Sequence, residues 1–483
     1  MGMLGSKGAK PPDAGQGVLS PLYQSRKKIH PRLVNGTFRN LKWAAMVVTL
    51  AIYYVTPWLR WDRGPGAPDQ AVLIDFPARR FYFFFIEIWP HELFFIAGLL
   101  IMAGIGLFLT TSVAGRLWCG YACPQTVWTD LFIHVERLIE GDRNARMKLD
   151  SAPWTFGKIL KRVAKHSAWI LIGLVTGGAW IFYFADAPTL ARQFAELDAP
   201  AVAYSTVAIL TATTYVMGGL MREQVCTYMC PWPRIMGAMM DEESLVVTYR
   251  ANRGEPRGFS KAAEASTTFG DCVDCGACVA VCPMGIDIRN GQQLECITCA
   301  LCIDACSEVM DHLDRPRGLI GYASLAGETR AEAGAPRRIR PIRPRTLAYF
   351  ALWSSVGLIM LYALLTRPEI EINVLHDRNP VFVKMADGSV RNSYAVKILN
   401  KTHSSRSFHI RVEGIPAPAI SVVGAIDTVT SDPILTVDPD VVRNFRVLVT
   451  SKSSQPRDDN QIRFVLKDIN GGEDIVAQSI FVE

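Results

Sequence analysis

The sequence predicts a multi-domain membrane protein in three parts: an α-helical bundle of about five transmembrane helices, a ferredoxin-like two-cluster insert, and a C-terminal immunoglobulin-like β-sandwich. Three observations carry this. Hydrophobic residues make up 49% of the 483 and mean hydropathy is positive, high for a soluble chain of this size. Twelve cysteines occur, none beyond Cys306, and eight of them crowd into residues 272–306. After Thr366 the apolar pattern switches to period-two alternation.

Five uncharged apolar runs are long enough to cross roughly 30 Å of hydrocarbon: residues 43–59, 93–113, 167–185, 199–221 and 346–366. The stretch FYFFFIEI at 81–88 is too short, and is expected to be interfacial or re-entrant. No signal peptide is expected, because the first apolar run follows some forty polar residues. Lys and Arg favour cytoplasmic loops. Eight lie in the first 42 residues, nine in 114–166, but only Arg192 in 186–198. The run RRIRPIRPR at 337–345 puts five arginines before the last span, against anionic lipid. The N-terminus and the two long loops are therefore expected in the cytoplasm, with the tail outside. The weak point is the 60–92 loop, with four arginines and five acidic residues.

The expected segments are an N-terminal stretch (1–42), four spans with a first cysteine motif (43–221), and a cytoplasmic loop (222–345) whose ferredoxin core is 266–317. A fifth span (346–366) and the sandwich (367–483) follow.

DCVDCGACVAVCP places Cys272, Cys275, Cys278 and Cys282 at C-x2-C-x2-C-x3-C, and ECITCALCIDACS repeats the spacing with Cys296, Cys299, Cys302 and Cys306. This is the ligand pattern of two-cluster ferredoxins, in which the fourth cysteine serves the other cluster. One 4Fe–4S cluster is assigned to Cys272, Cys275, Cys278 and Cys306, the other to Cys296, Cys299, Cys302 and Cys282. Ser307 stands where a second proline is usual. No Rossmann or P-loop fingerprint occurs, and no nucleic-acid partner is expected.

The tail reads as about seven short strands in an antiparallel sandwich without cysteine. His376, His403 and His409 are expected to face solvent.

RLWCGYACPQTVW carries Cys119 and Cys123; REQVCTYMCPWPR carries Cys226 and Cys230. Each Cys-x3-Cys-Pro follows a span running toward the cytoplasm. The proline disfavours helix at the preceding cysteine and suits a new first turn, so each motif is a bend with its second thiol near a helix N-terminus, which lowers a thiol's pKa. The paired placement resembles an internal duplication, with the four thiols converging. They are candidate redox or copper-handling cysteines, as a soft-metal site or a dithiol. Met217, Met221, Met229, Met236, Met239 and Met240 surround the second motif, as packing or as soft ligands. Small residues at 173–178 (GLVTGG) permit self-association, including a homodimer.

WCGYACPQTVW, CTYMCPWPR, the two-cluster insert, the five spans and the sandwich tail together resemble the cytochrome c oxidase accessory proteins called CcoG, FixG or RdxA. The match covers nearly the whole chain; the first forty residues add nothing. The resemblance implies a multi-pass protein of the bacterial inner membrane, needed to assemble cbb-type oxidase. It implies reduction of Cu(II) to Cu(I), with copper as substrate or transient ligand, copper chaperones or oxidase assembly factors as partners, and an unnamed electron donor. Two other readings stand beside it. One is a quinol-linked ferredoxin, with Phe81, Glu87 and His91 around the quinol head. The other is a non-catalytic assembly scaffold.

Overall fold

The structure, a computed structural model, describes residues 28–64, 67–258, 269–336, 338–402, 404–423, 432–452, 460–471 and 474–482. His403 and the first 27 residues lie outside them. The chain divides into two compact units, each gathered from three stretches: one from residues 1–46, 110–171 and 214–341, the other from 47–109, 172–213 and 342–483.

All five expected spans are helical. The helices are Thr37–Val55, Phe94–Ala114, Phe156–Ile181, Ala201–Thr214 continuing as a π-helix through Tyr215–Met221, and Pro344–Leu365. Three are long and apolar enough to cross a membrane: Pro90–Ala114, Ala201–Met221 and Pro344–Leu365. The other two carry charge in their first turns, Arg39 and Lys42 in one and Lys158, Lys161, Arg162 and Lys165 in the other. Several of these charges are buried against partners. Arg39 lies 2.9 Å and Lys42 3.8 Å from Asp130, and Lys165 lies 3.0 Å from Glu140. Pairing makes burial of such groups tolerable.

In the first unit, the ribbon Val246–Tyr249 pairs antiparallel with Ile320–Ala323 and closes the base of the cysteine-rich insert. Val247, Ile288, Ile303, Met310, Leu319 and Ile320 form its core, together with Cys272 and Cys278. The segment before the first helix docks on this insert. Arg32 N donates to Ala280 O at 2.8 Å, and Arg146, fully buried, donates to Pro31 O at 2.6 Å. Asp304, between two cluster-spaced cysteines, accepts from the Phe38 and Arg39 backbone amides at 3.3 and 2.8 Å. It thereby caps the N-terminus of Thr37–Val55, where four amides lack helical partners.

In the second unit, residues 81–88 correct the re-entrant expectation. They form two strands, Arg80–Phe83 and Ile86–Ile88, in an antiparallel sheet with Val72–Asp75. The run of aromatics at 81–85 suits a pleated surface better than a helix. Gln70, fully buried, anchors this sheet: its amide donates to Val72 O and Phe182 O and accepts from Ala187 N. Gly173 and Gly177 bring Phe156–Ile181 against the neighbouring helix. A Cβ at either would lie about 3 Å from Thr211 O or Val207 O, so these two glycines serve an intrachain contact.

Among the described residues the sandwich has nine strands: β1 Ile370–His376, β2 Val383–Lys384, β3 Val390–Asn400, β4 Arg406–Glu413, β5 Ala419–Val422, β6 Ile434–Val437, β7 Val441–Ser451, β8 Gln461–Asp468 and β9 Ile475–Ile480. One sheet runs β5-β7-β3-β1 with β2 on β3; the other runs β6-β4-β8-β9. Every pair is antiparallel. Alternate residues Tyr394, Val396 and Ile398 meet Phe408, Ile410, Phe464 and Leu466 in the core, as pleating requires. His376 and His409 are half-buried rather than solvent-facing. His376 Nε2 lies 2.7 Å from Asn392 Oδ1.

Candidate metal centres

The two cysteine runs fold alike. In each, the residues flanking the second cysteine take left-handed backbone: Asp274 (φ 52°) and Gly276 (φ 67°) in the first, Thr298 (φ 57°) and Ala300 (φ 62°) in the second. Three of these four are not glycine, and each pays for that conformation. The turn releases the short helix Ala277–Val281 in one run and Leu301–His312 in the other.

One cavity is lined by Cys272, Cys275, Cys278 and Cys306, under Tyr249, Leu319 and Ile320. A second is lined by Cys282, Cys296, Cys299 and Cys302, with Cys278 also at its wall, under Ile286, Ile288 and Leu301. Burial pushes the thiol of Cys278 up to about 11 and those of Cys282 and Cys306 up to about 12. Such thiols ionise when a cation supplies the missing countercharge. Backbone amides of Met284 and Ile286 donate to Cys282, and that of Thr298 to Cys296. Convergent thiols, apolar walls and amides aimed at sulfur fit a 4Fe–4S cluster in each cavity.

The first Cys-x3-Cys-Pro lies directly against the second cavity. The helix Phe94–Ala114 ends at Gly115, whose φ of 56° turns the chain; a Cβ there would also lie 2.7 Å from Leu245 O. Cys119 sits in the one-turn helix Leu117–Tyr121, and Cys123 (ψ 128°) caps Pro124–Glu140 with Pro124 in its first turn. Gly120 faces the other loop so closely that a Cβ would lie 2.7 Å from Ile297 O and 3.0 Å from Cys299 Cα. Tyr121 Oη donates to Cys299 O at 3.1 Å. Arg116 donates to Leu294 O and, at 2.6 Å, to Pro233 O, tying the first motif to the cluster loop and to the second motif.

The second motif is built on π-helices, Tyr215–Met221 and Val225–Met229, with Cys230 extended before Pro231 and Trp232–Met239. Wide turns of this kind often mark functional positions. Gly219 admits the Trp169 ring, which approaches a Cβ position at 2.9 Å. Gln125 Nε2 donates to Met217 O at 2.9 Å and Arg222 O at 3.2 Å. Arg222 pairs with buried Glu136 at 2.8 Å.

All four motif thiols are partly buried and lie within electrostatic reach of one another. Cys226 shares a small cavity with Pro283, Met284 and Ile297 of the cluster loops. Met236, fully buried, brings its sulfur 3.5 Å from Cys119 Sγ. The expected depression of the thiol pKa at the helix start is corrected here. Burial pushes Cys123 up despite amides donated by Thr126 and Gln125, and pushes Cys119 to about 11 and Cys226 to about 12. Desolvation outweighs the helix terminus.

Sequence reasoning passed over Arg116, Tyr121, Asp304 and the π-helices. The signal for Arg116 was the arginine that opens both motifs, Arg116 in RLWC and Arg222 in REQVC. Elsewhere, His91, Glu92 and Glu371 bring three donor atoms within 4.8 Å of one another. Lys401 Nζ already sits 2.7 Å from each glutamate and supplies a cation between them.

Three family models match the chain: a 4Fe-4S binding domain over residues 94–140, a 4Fe-4S dicluster domain over 221–325, and the IG-like fold at the C-terminus of FixG over 360–483. The chain is 60% identical to the nitrogen fixation protein FixG of Rhizobium meliloti, over 90% of this chain and 88% of the relative. It is 56% identical to the protein RdxA of Cereibacter sphaeroides over 84% and 86%. It is 54% identical to the protein RdxB of the same organism over 96% and 97%.

Proposed function

The chain belongs to the FixG family of membrane iron–sulfur proteins, and from that premise we propose that it carries electrons to Cu(II) and delivers Cu(I) for assembly of a cbb-type cytochrome c oxidase. In this reading five helices cross the bacterial inner membrane, with the cysteines cytoplasmic and the sandwich periplasmic. Cys272, Cys275, Cys278 and Cys306 hold one cluster, and Cys296, Cys299, Cys302 and Cys282 the other. A bound 4Fe–4S cluster supplies one electron at a time, which matches the one-electron reduction of Cu(II).

The observation that carries the reading is the seating of Gly120 on the Cys296–Cys299 loop. It puts the backbone between Cys119 and Cys123 against a cluster-binding turn. The side chains of Arg116 and Tyr121 hold that contact by donating to main-chain carbonyls of the cluster loop. Cys119, with Met236 beside it, presents soft sulfur donors that favour the Cu(I) product over Cu(II). The sandwich serves as the docking module for assembly partners.

Purified protein with its clusters reduced is expected to convert Cu(II) to Cu(I), read with a Cu(I)-selective chelator. A rate equal to that of buffer refutes the proposal. Replacing Cys275 and Cys299 by Ser is expected to abolish oxidase assembly at unchanged protein level; intact assembly would instead favour a scaffold.

A further inference from the structure

The segment 94–140 matches a 4Fe-4S binding domain, yet it holds only two cysteines, Cys119 and Cys123. Ferredoxin-type 4Fe–4S clusters use four thiolates. The structure brings the missing pair from another part of the chain. Cys226 is in electrostatic reach of Cys119, Cys123 and Cys230, and Cys230 of Cys119 and Cys123.

We propose that Cys119, Cys123, Cys226 and Cys230 together hold a third cluster of cubane size, in place of a single metal ion or a disulfide-forming pair. This goes beyond the proposed copper chemistry: Cys119 then ligates iron rather than copper, the third cluster stands as the electron donor in its place, and the site does not depend on copper being the acceptor.

Spacing separates the alternatives. Four sulfurs bonded to one ion at about 2.3 Å stand roughly 3.8 Å apart, whereas the cysteine sulfurs bonded to the four irons of a cubane stand roughly 6 Å apart. Among the described residues the group of three donors within 4.8 Å of one another is His91, Glu92 and Glu371. No trio of thiols is drawn that tightly. The same holds for the two ferredoxin sets, so the chain supplies its own standard. In all three sets burial desolvates thiols, and no three sulfurs close to single-ion spacing.

Backbone chemistry agrees. The amides of Gln125 and Thr126 donate to Cys123, as that of Thr298 does to Cys296 and those of Met284 and Ile286 to Cys282. Each proline opens a new helical segment after its second cysteine, and that cysteine is left extended. The site also adjoins the second ferredoxin cavity from two sides, through Gly120 on Ile297 and Cys299 and through Cys226 beside Pro283 and Met284. A third centre there extends the relay beyond the second ferredoxin site.

The test is the iron and acid-labile sulfide content of the full-length protein purified without oxygen, together with Mössbauer spectra. The wild type is expected to carry about twelve irons per chain, the sum of three cubanes. Cys226→Ser and, separately, Cys123→Ser are expected to carry about eight, with the signals of the two ferredoxin clusters unchanged. A wild-type count of about eight overturns the third cluster, whether copper is then found at one per chain and lost in Cys226→Ser, or the four cysteines titrate as free thiols or a disulfide. A count below eight overturns it as well, and alone also overturns the two-cluster reading. The wild-type count stands even if a variant fails to fold.

Discussion

Replacing Gly120 by Ala tests the contact on which the electron path rests. The new Cβ would lie 2.7 Å from Ile297 O, 3.0 Å from Cys299 Cα and 3.1 Å from Cys299 N, where ordinary contact begins near 3.4 Å. The two loops must therefore part by about 0.7 Å, the difference between 3.4 and 2.7. Both partners are backbone, so no side chain can rotate away. Overpacking of this kind costs about 1–3 kcal/mol. Gly120 lies inside the helix Leu117–Tyr121, where alanine recovers about 0.5–1 kcal/mol of propensity. The net expectation is a loss of about 1–2 kcal/mol, located at the Cys296–Cys302 loop. The assay follows the bleaching of cluster absorbance in guanidinium; the midpoint should fall in Gly120→Ala. Gly178→Ala is the control, since nothing lies within 4 Å of a Cβ there, and its midpoint should hold or rise. Equal midpoints for the two variants would refute the close approach.

Glu136→Gln removes a buried carboxylate that faces Arg222 at 2.8 Å, Arg146 at 3.0 Å and Lys165 at 3.6 Å; breaking such a network should cost about 3–5 kcal/mol, read as a drop in thermal midpoint. Burial by itself would raise the pKa of Glu136, but Arg222, Arg146 and Lys165 hold it at about 2, below its ordinary 4.5. Its stabilisation is therefore complete above pH 4.5 and lost as the pH falls toward 2, and Glu136→Gln should flatten that part of the stability profile. Asp304→Ala strips the cap from Thr37–Val55 and should cost about 1–2 kcal/mol, with Asp304→Asn costing less; denaturation midpoints of the pair check this. Tyr394→Phe leaves Ile480 O without its donor at 2.8 Å, so about 1 kcal/mol should be lost, seen as faster amide exchange in β9.

Some of this molecule was legible residue by residue. The spacing of Cys272 to Cys306 named the cofactor class, because thiolates two and three residues apart suit one cubane and its neighbour. Alternation in SYAVKILN, residues 393–400, named a strand, since pleating has period two, and the structure turns its Tyr394, Val396 and Ile398 into the core. Two sandwich strands escaped notice, Ala419–Val422 and Ile434–Val437, each four residues long and set off by proline. Residues 81–88 form a near-continuous apolar run, in which periodicity does not separate a buried strand from a membrane-seeking segment. Asp304 was invisible as a cap: the amides it accepts belong to residues more than 260 positions away, and no local pattern reports a partner that distant.

The sequence alone determined the kinds of chemistry: apolar runs for lipid, two ferredoxin cysteine runs, a β tail, and a duplicated Cys-x3-Cys-Pro. These depend on local periodicity and spacing, which the chain carries in its order. Only the tertiary structure decided what the four motif thiols face, because that depends on how Gly120 packs on Cys299, how Gln125 and Arg222 join the two motifs, and how burial overrides a helix terminus at Cys123. Those are long-range contacts and desolvation, and both exist only after the chain has folded.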